Sequence, residues 1–456
     1  MRQAALALLG LAATAGCGAR STLETSTGTS SASSSSSGTS GGPCTTSMRL
    51  TAPVGVSTPG GRQRSPALVE TGADGAPVTL VFTSTPPGMP GGPVRVLHAS
   101  FDPWGAWPDA DLAPVHVDAD GGSSLAAASE GDGSFALLHG GPSLALEPHG
   151  VTLDLGLAPD HDGPHAPLVI DADAAVATFL APGPAHLLGF ERRRPLMPFG
   201  KAHQLEIGVG HAVAGETLFV GPVALGCATN PVGVAALPAE NGGWLVALTN
   251  GTPLGDTGCF TDFAIGPATQ VQVAFVDPLL GVDPRSTWGS LPDAGSVASG
   301  MSTIALTARP GGGAWLTWFA ESTSPGTEGA LRVASIGHDG AWLSDVSVTD
   351  HVDTATGGWP NDAGFTTAAL GDRLAMAWLY TPATTLDVAD QLVVEIVDTA
   401  GAVAGWTLIP AEGALTTPPA LMVSPAGDAI LVAWSSARAG QDERVQMMRV
   451  DCLPGG

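Results

Sequence analysis

The sequence predicts an all-β body made of seven copies of one strand-turn-strand unit, and three observations carry that expectation. Glycine (62) and proline (38) are abundant over 456 residues while long helical patterns are absent, a composition suited to many short strands joined by turns. A unit of two apolar strands around a Gly/Asp turn returns along the chain. Near Cys44 the sequence also changes character, from a Ser/Thr-rich stretch to apolar strands, which divides leader from body.

Taken in order, Met1-Arg2 and the apolar run from Ala4 to Ala13 read as a signal peptide over 1–16, with a core too short to span a bilayer. The run ends Thr14-Ala15-Gly16-Cys17, which resembles the lipobox of bacterial lipoproteins, with Thr14 standing where Leu is usual. That resemblance implies that Cys17 is acylated by palmitate-type chains and becomes the mature N-terminus. With Gly18 following in place of Asp, it also implies an outer-membrane address, facing periplasm or cell surface. Two or more acyl chains hold a protein stably, since each buried CH₂ contributes about 0.8 kcal/mol. Residues 17–43 then form a tether. Between Ser21 and Gly42, ten residues are Ser, five Thr and four Gly, too little apolar surface to offset chain entropy. A coil of this type from Gly18 to Pro43 spans roughly 25 to 30 Å. Gly38-Thr39-Ser40-Gly41-Gly42 fits the G-x-S-x-G nucleophile pattern, but a tether supplies neither the strand nor the helix that the pattern needs.

The body, 44–456, carries the repeat. Its copies read Pro66 to Phe82, Ser124 to His139, Leu168 to Phe179, Gly233 to Leu248, Thr303 to Trp318, Thr366 to Trp378 and Ala420 to Trp434. From Phe82 to Trp434 the strand ends recur roughly every 59 residues, longer than the usual blade repeat, so long loops must absorb the excess. A third strand closing on an acidic turn follows most copies, at Pro114 to Gly121, Leu331 to Gly340 and Leu392 to Gly401. Trp342 and Trp406 open a fourth. Small residues on the first strand and four strands per unit resemble a seven-bladed β-propeller, whose first strands crowd a central channel. A β-sandwich does not predict seven like-spaced copies. The last copy runs short of strands before Gly456, while 45–56 is an unassigned strand, so the ring is expected to close by pairing the N-terminal strand with the last blade.

With Cys17 taken by lipid, Cys44, Cys227, Cys259 and Cys452 allow three connectivities. Ring closure brings Cys44 to Cys452, and the flanks of the fourth unit bring Cys227 to Cys259. Each bond would contribute about 2 to 5 kcal/mol.

Chemistry is sparsely written. A formal charge of −25 excludes nucleic acid and anionic headgroups as natural partners. No HExxH, CxxC, P-loop or dinucleotide fingerprint occurs, and no cofactor is expected. His161, Asp162 and His165, with Asp160, are the weak metal candidates; Asp109, Asp111, Asp118 and Asp120 read as solvated turns, lacking the spacing of a Ca²⁺ loop. Gly281 to Trp288 partly resembles the Asp-box turn of sialidase-type propellers, keeping Asp283, Thr287 and Trp288, and is expected between third and fourth strands. Glu191-Arg192-Arg193-Arg194 is the densest basic cluster, read as an anion or partner contact or as a solvated loop.

Two functions follow. The first is a non-catalytic, membrane-anchored propeller that binds or scaffolds an envelope protein or glycan. The alternative is a hydrolase or lyase with its active site at the channel mouth. Three or more Asp, Glu or His from different blades facing one point would favour the enzyme; walls of Ala, Ser and Gly would favour the binder.

Overall fold

Most second strands of the repeat carry an almost unbroken apolar run, such as Trp244-Leu-Val-Ala-Leu248, the pattern of a strand covered on both faces, with β12 ending instead in Glu191 to Arg194. The computed structural model describes residues 48–453 except 58–60, 74–75, 87–93, 119–123, 141–150, 158–167, 172–174, 184, 196–200, 214–215, 230, 241, 252–269, 289–295, 298–303, 322–329, 348–358, 382–390, 399–400, 411–412, 416 and 438–440. Among the described residues every regular element is a strand, and none is a helix long and apolar enough to cross a membrane.

Two short strands come first, β1 (Met48–Leu50) and β2 (Val54–Gly55). Blade 1 is β3 (Arg62–Ala73), β4 (Ala76–Thr85), β5 (Arg95–Phe101) and β6 (Val115–Asp118). Blade 2 is β7 (Ser124–Ser129), β8 (Phe135–Gly140), β9 (Val151–Leu157) and β10 (Leu168–Asp171). Blade 3 is β11 (Ala175–Ala181), β12 (His186–Pro195), β13 (Lys201–Val213) and β14 (Glu216–Ala228). Blade 4 is β15 (Val234–Pro238), β16 (Trp244–Asn250), β17 (Gln270–Val276) and β18 (Val282–Trp288). In blade 5, β19 (Ser296–Val297) and β20 (Ile304–Ala308) both pair with β21 (Ala314–Glu321), followed by β22 (Ala330–Ile336) and β23 (Trp342–Ser347). Blade 6 is β24 (Trp359–Leu370), β25 (Arg373–Thr381), β26 (Gln391–Val397) and β27 (Val403–Pro410). In blade 7, β28 (Ala414–Leu415) and β29 (Ala420–Val423) pair with β30 (Ala429–Ala437), which pairs with β31 (Arg444–Cys452).

The protein is a seven-bladed β-propeller. Its first strands touch in a closed ring, β3 to β7, β11, β15, β20, β24, β29 and back to β3. The N-terminal strands complete the last blade, with Met48 opposite Cys452, Leu50 opposite Val450 and Val54 opposite Met447.

Seven hydrophobic clusters fill the seven junctions between neighbouring blades. The period of two along a strand divides its side chains between two neighbours. Thus Trp244, Val246 and Leu248 pack toward blade 3, while Leu245 and Ala247 pack toward blade 5. Every second strand supplies one fully buried aromatic: Phe82, Phe135, Phe190, Trp244, Trp318, Trp378 and Trp434.

Two parts of the expected repeat are corrected. Leu168 to Phe179 is not a copy of the unit; it joins β10, the fourth strand of blade 2, to β11, the first of blade 3. The true third copy is β11 with β12. Val115–Asp118 is a fourth strand, because β5 already fills the third place in blade 1.

Candidate functional site

Antiparallel order puts the second-to-third and blade-to-blade connections at one end of the ring, and the first-to-second and third-to-fourth turns at the other. The excess length of the repeat falls mainly at the first end, in segments such as 251–269, 289–303 and 348–358. The opposite end carries short turns, with two exceptions, 102–114 and 158–167. Its turns recur in kind: Asp277 Oδ1 accepts from the amides of Leu279 and Gly281, Asp339 Oδ1 from Ala341, and Asp398 Oδ1 from Ala402.

The channel wall is built from the first strands. In five of the seven blades these strands, such as Ser124-Leu-Ala-Ala-Ala-Ser129 and Val234-Ala-Ala-Leu-Pro238, contain no titratable residue. The exceptions are Arg62, Arg64 and Glu70 in β3 and Asp362 in β24. Threonines 307 and 367 share a hydroxyl hydrogen bond of 2.6 Å between the first strands of blades 5 and 6.

Beneath the long-connection end lie several buried polar groups, tied to one another. Glu191 of β12 accepts from His203 Nδ1 (2.9 Å), Arg193 Nε (3.0 Å) and the amide of Val232 (3.0 Å), which leads into β15. Burial opposes its ionisation, but the bonds from His203, Val232 and Arg193 outweigh that and hold the carboxyl below its ordinary range. Next to it Arg192 pairs with Glu206 (3.1 Å), which also accepts from Gln204 (2.8 Å). In blade 4, Asn250 accepts from the Cys227 amide (3.0 Å) and donates to Gln272 (3.1 Å). In blade 2, His139 meets Asp154 at 3.2 Å with both side chains buried. Glu443 pairs with Arg64 (2.5 Å) across the junction of blades 7 and 1.

These groups hold blades and junctions in place. The basic run after Glu191 is therefore a strand, not a loop: its Arg192 and Arg193 are neutralised by carboxylates of blade 3 itself. At the short-turn end, burial lowers the pKa of His186, opposed by the nearby Glu130 carboxylate. Hydrogen bonding from Ser134 lowers that of Asp132.

The other candidates separate as follows. Cys17, Cys44 and Cys259, the stretch Gly38 to Gly42, Asp120, and His161, Asp162 and His165 lie outside the described residues. Cys227 is buried near the end of β14, and the amide of Gly251, at the head of segment 251–269, donates to its carbonyl (3.1 Å). Cys452 is buried opposite Met48. Asp111 accepts from the Gly55 amide (3.0 Å), a contact the sequence did not signal, and Asp118 ends β6. Asp283, Thr287 and Trp288 stand within β18; the turn before it is made by Asp277, so the Asp-box placement is corrected. Among the described residues no three His, Cys, Asp or Glu side chains are grouped to hold a metal ion.

No family model and no curated protein matches the chain. Solved structures resemble it in fold. One is a protein of unknown function from Dyadobacter fermentans (11% identity, 89% of this chain and 99% of that one, TM-score 0.45). Another is the polysaccharide lyase Uly1 (9%, 87% and 90%, TM-score 0.49). A third is an α-L-arabinanase of Penicillium chrysogenum complexed with arabinobiose (11%, 89% and 99%, TM-score 0.46). Likeness at this level assigns no substrate.

Proposed function

We propose that this chain is a lipid-anchored envelope protein whose propeller binds an envelope protein or glycan at the long-connection end without transforming it. The observation that carries this reading is the channel wall: five of its seven first strands offer only small, apolar or hydroxyl side chains. Hydrolysis or elimination of a glycan needs acid and base groups converging on one bond. The buried carboxylates and imidazoles described near that end, Glu191 with His203, Asp154 with His139 and Glu206 with Arg192, are instead spent on pairing neighbouring strands within their blades. Anchoring rests on the Thr14 to Cys17 sequence and the Ser/Thr/Gly tether. Two disulfides complete the proposal. Cys44 precedes the strand whose Met48 faces Cys452, and Cys227 is hydrogen-bonded to the segment that contains Cys259.

The test is to expose the full chain, with Cys17→Ala to release it from lipid, to outer-membrane protein and envelope polysaccharide fractions. Retention and product formation are scored together, as new reducing ends or unsaturated uronates. Retention without product supports the binder. Product would replace it with the hydrolase or lyase reading, and absence of both would overturn the binding claim.

A further inference from the structure

Residues 102–112 leave blade 1 and run across the place where the N-terminal strands close blade 7. Leu112 bridges Val56 in parallel, its amide donating to the Gly55 carbonyl (3.0 Å) and its carbonyl accepting from the Ser57 amide (2.8 Å). Trp107 Nε1 donates to the Ala52 carbonyl (2.9 Å), and the Asp111 carboxylate takes the Gly55 amide (3.0 Å). From β31, Arg449 donates to the carbonyls of Pro103 (2.6 Å) and Gly105 (3.0 Å) with its guanidinium 5.7 Å from the Trp107 ring centre. The chain from 52 to 57 is thus gripped by β31 on one side and by this strap on the other.

We propose that the 102–112 strap is a seam lock, which sets how often the N-terminal strands leave blade 7 and the ring opens between its first and last blades. Apart from the bond proposed between Cys44 and Cys452, the non-covalent closure is modest: β1 offers three paired residues to β31 and β2 two, with an ion pair from Arg49 to Asp451 (2.7 Å) and hydrogen bonds between Thr51 and Arg449. So short an edge frays readily unless something else covers it. The strap adds backbone and side-chain hydrogen bonds on the far side, and Trp104, Trp107 and Leu112 pack against the cluster that contains Val54 and Val56. With the seam open, β31 presents an unpaired edge and a vacated apolar site, which the same segment of a second copy fits by construction. When Cys44 is not bonded to Cys452, the open form is therefore a strand acceptor for this chain's own N-terminal segment, and the strap then decides between closed monomer and exchanged dimer. This goes beyond the binding reading and does not depend on it.

Trypsin cleavage after Arg49, read by mass on the full chain carrying Cys44→Ser so that the strap is tested without the proposed Cys44–Cys452 bond, reports the opening, because cleavage of a transiently opened segment tracks its open population. Trp107→Ala combined with Asp111→Asn is expected to raise that cleavage about tenfold, and to yield a dimer that grows with protein concentration. Val56→Cys with Leu112→Cys, once oxidised, is expected to suppress the cleavage, with recovery on reduction. The milder pair Arg449→Gln and Ser57→Ala serves if the first variant does not fold. Cleavage at the wild-type rate in a folded strap variant, or persisting in the cross-linked one, overturns the lock. Neither readout involves a glycan, a partner or the lipid, so the binding proposal stands or falls separately.

Discussion

Glu191 shows how a charged side chain becomes a structural joint. It is buried, yet three donors from three different stretches of chain meet it, and one of them heads the first strand of the next blade. Glu191→Gln keeps the shape but removes the charge that the His203 imidazole and the Arg193 guanidinium meet, so a loss of about 2 to 4 kcal/mol is expected in urea denaturation at neutral pH. The pH dependence has a definite sign. The folded carboxyl titrates below its ordinary 4.5, so its contribution is complete above that pH and fades as acid protonates it. Wild type should therefore lose more stability than Glu191→Gln as the pH is taken below 4.5; equal losses would show that Glu191 does not hold the joint. The run Glu191 to Arg194 was conspicuous in the sequence. Its pairing was not, because Glu206 faces Phe190 only through the β12–β13 register.

At the scale of the strand, the repeat was legible wherever a large aromatic marked the second strand. Trp244, Trp318, Trp378 and Trp434 each interrupt a background of Ala, Val and Leu, and each sits where its unit was expected. The third unit misled for a physical reason. β10 and β11 are both short and apolar and lie three residues apart, so a crossing from one blade to the next has the same local pattern as a hairpin. Glycine turns are more restrictive than their composition suggests. Gly313 has φ 77°, and a Cβ there would lie 2.1 Å from the Ile336 carbonyl oxygen. Gly313→Ala should cost at least about 1 to 3 kcal/mol in thermal or urea unfolding, whereas Gly311→Ala, with φ 83° but open space around it, should cost less.

For the whole molecule, seven like junctions make the ring a set of nearest-neighbour contacts whose last member must be closed by the other end of the chain. That closure was readable from a shortage of strands in the final unit and a surplus before the first. The strap over it was not, since Asp109 and Asp111 looked like ordinary turn residues and the strap is placed by contacts distant in sequence, Asp111 with Gly55 and Gly105 with Arg449. Ring geometry also limits the cysteines. Cys452 ends its strand at the short-turn end and Cys227 at the opposite end, so peptide mapping without reduction should recover Cys44 with Cys452 and Cys227 with Cys259. A Cys44 to Cys227 peptide would contradict that arrangement.

β1 begins at the short-turn end and runs antiparallel to the third strand β31, whose other partner, the second strand β30, is buried within blade 7. Where Cys44 is not bonded to Cys452, a pull on the residues before Met48, directed along the strand, therefore loads the hydrogen bonds of β1 and β2 together in shear, not one after another as in a zipper. The strap adds its own resistance further along the same line. A body hung from its N-terminus in this way would be mechanically strongest in the direction from which it is held, and weakest to a sideways peel.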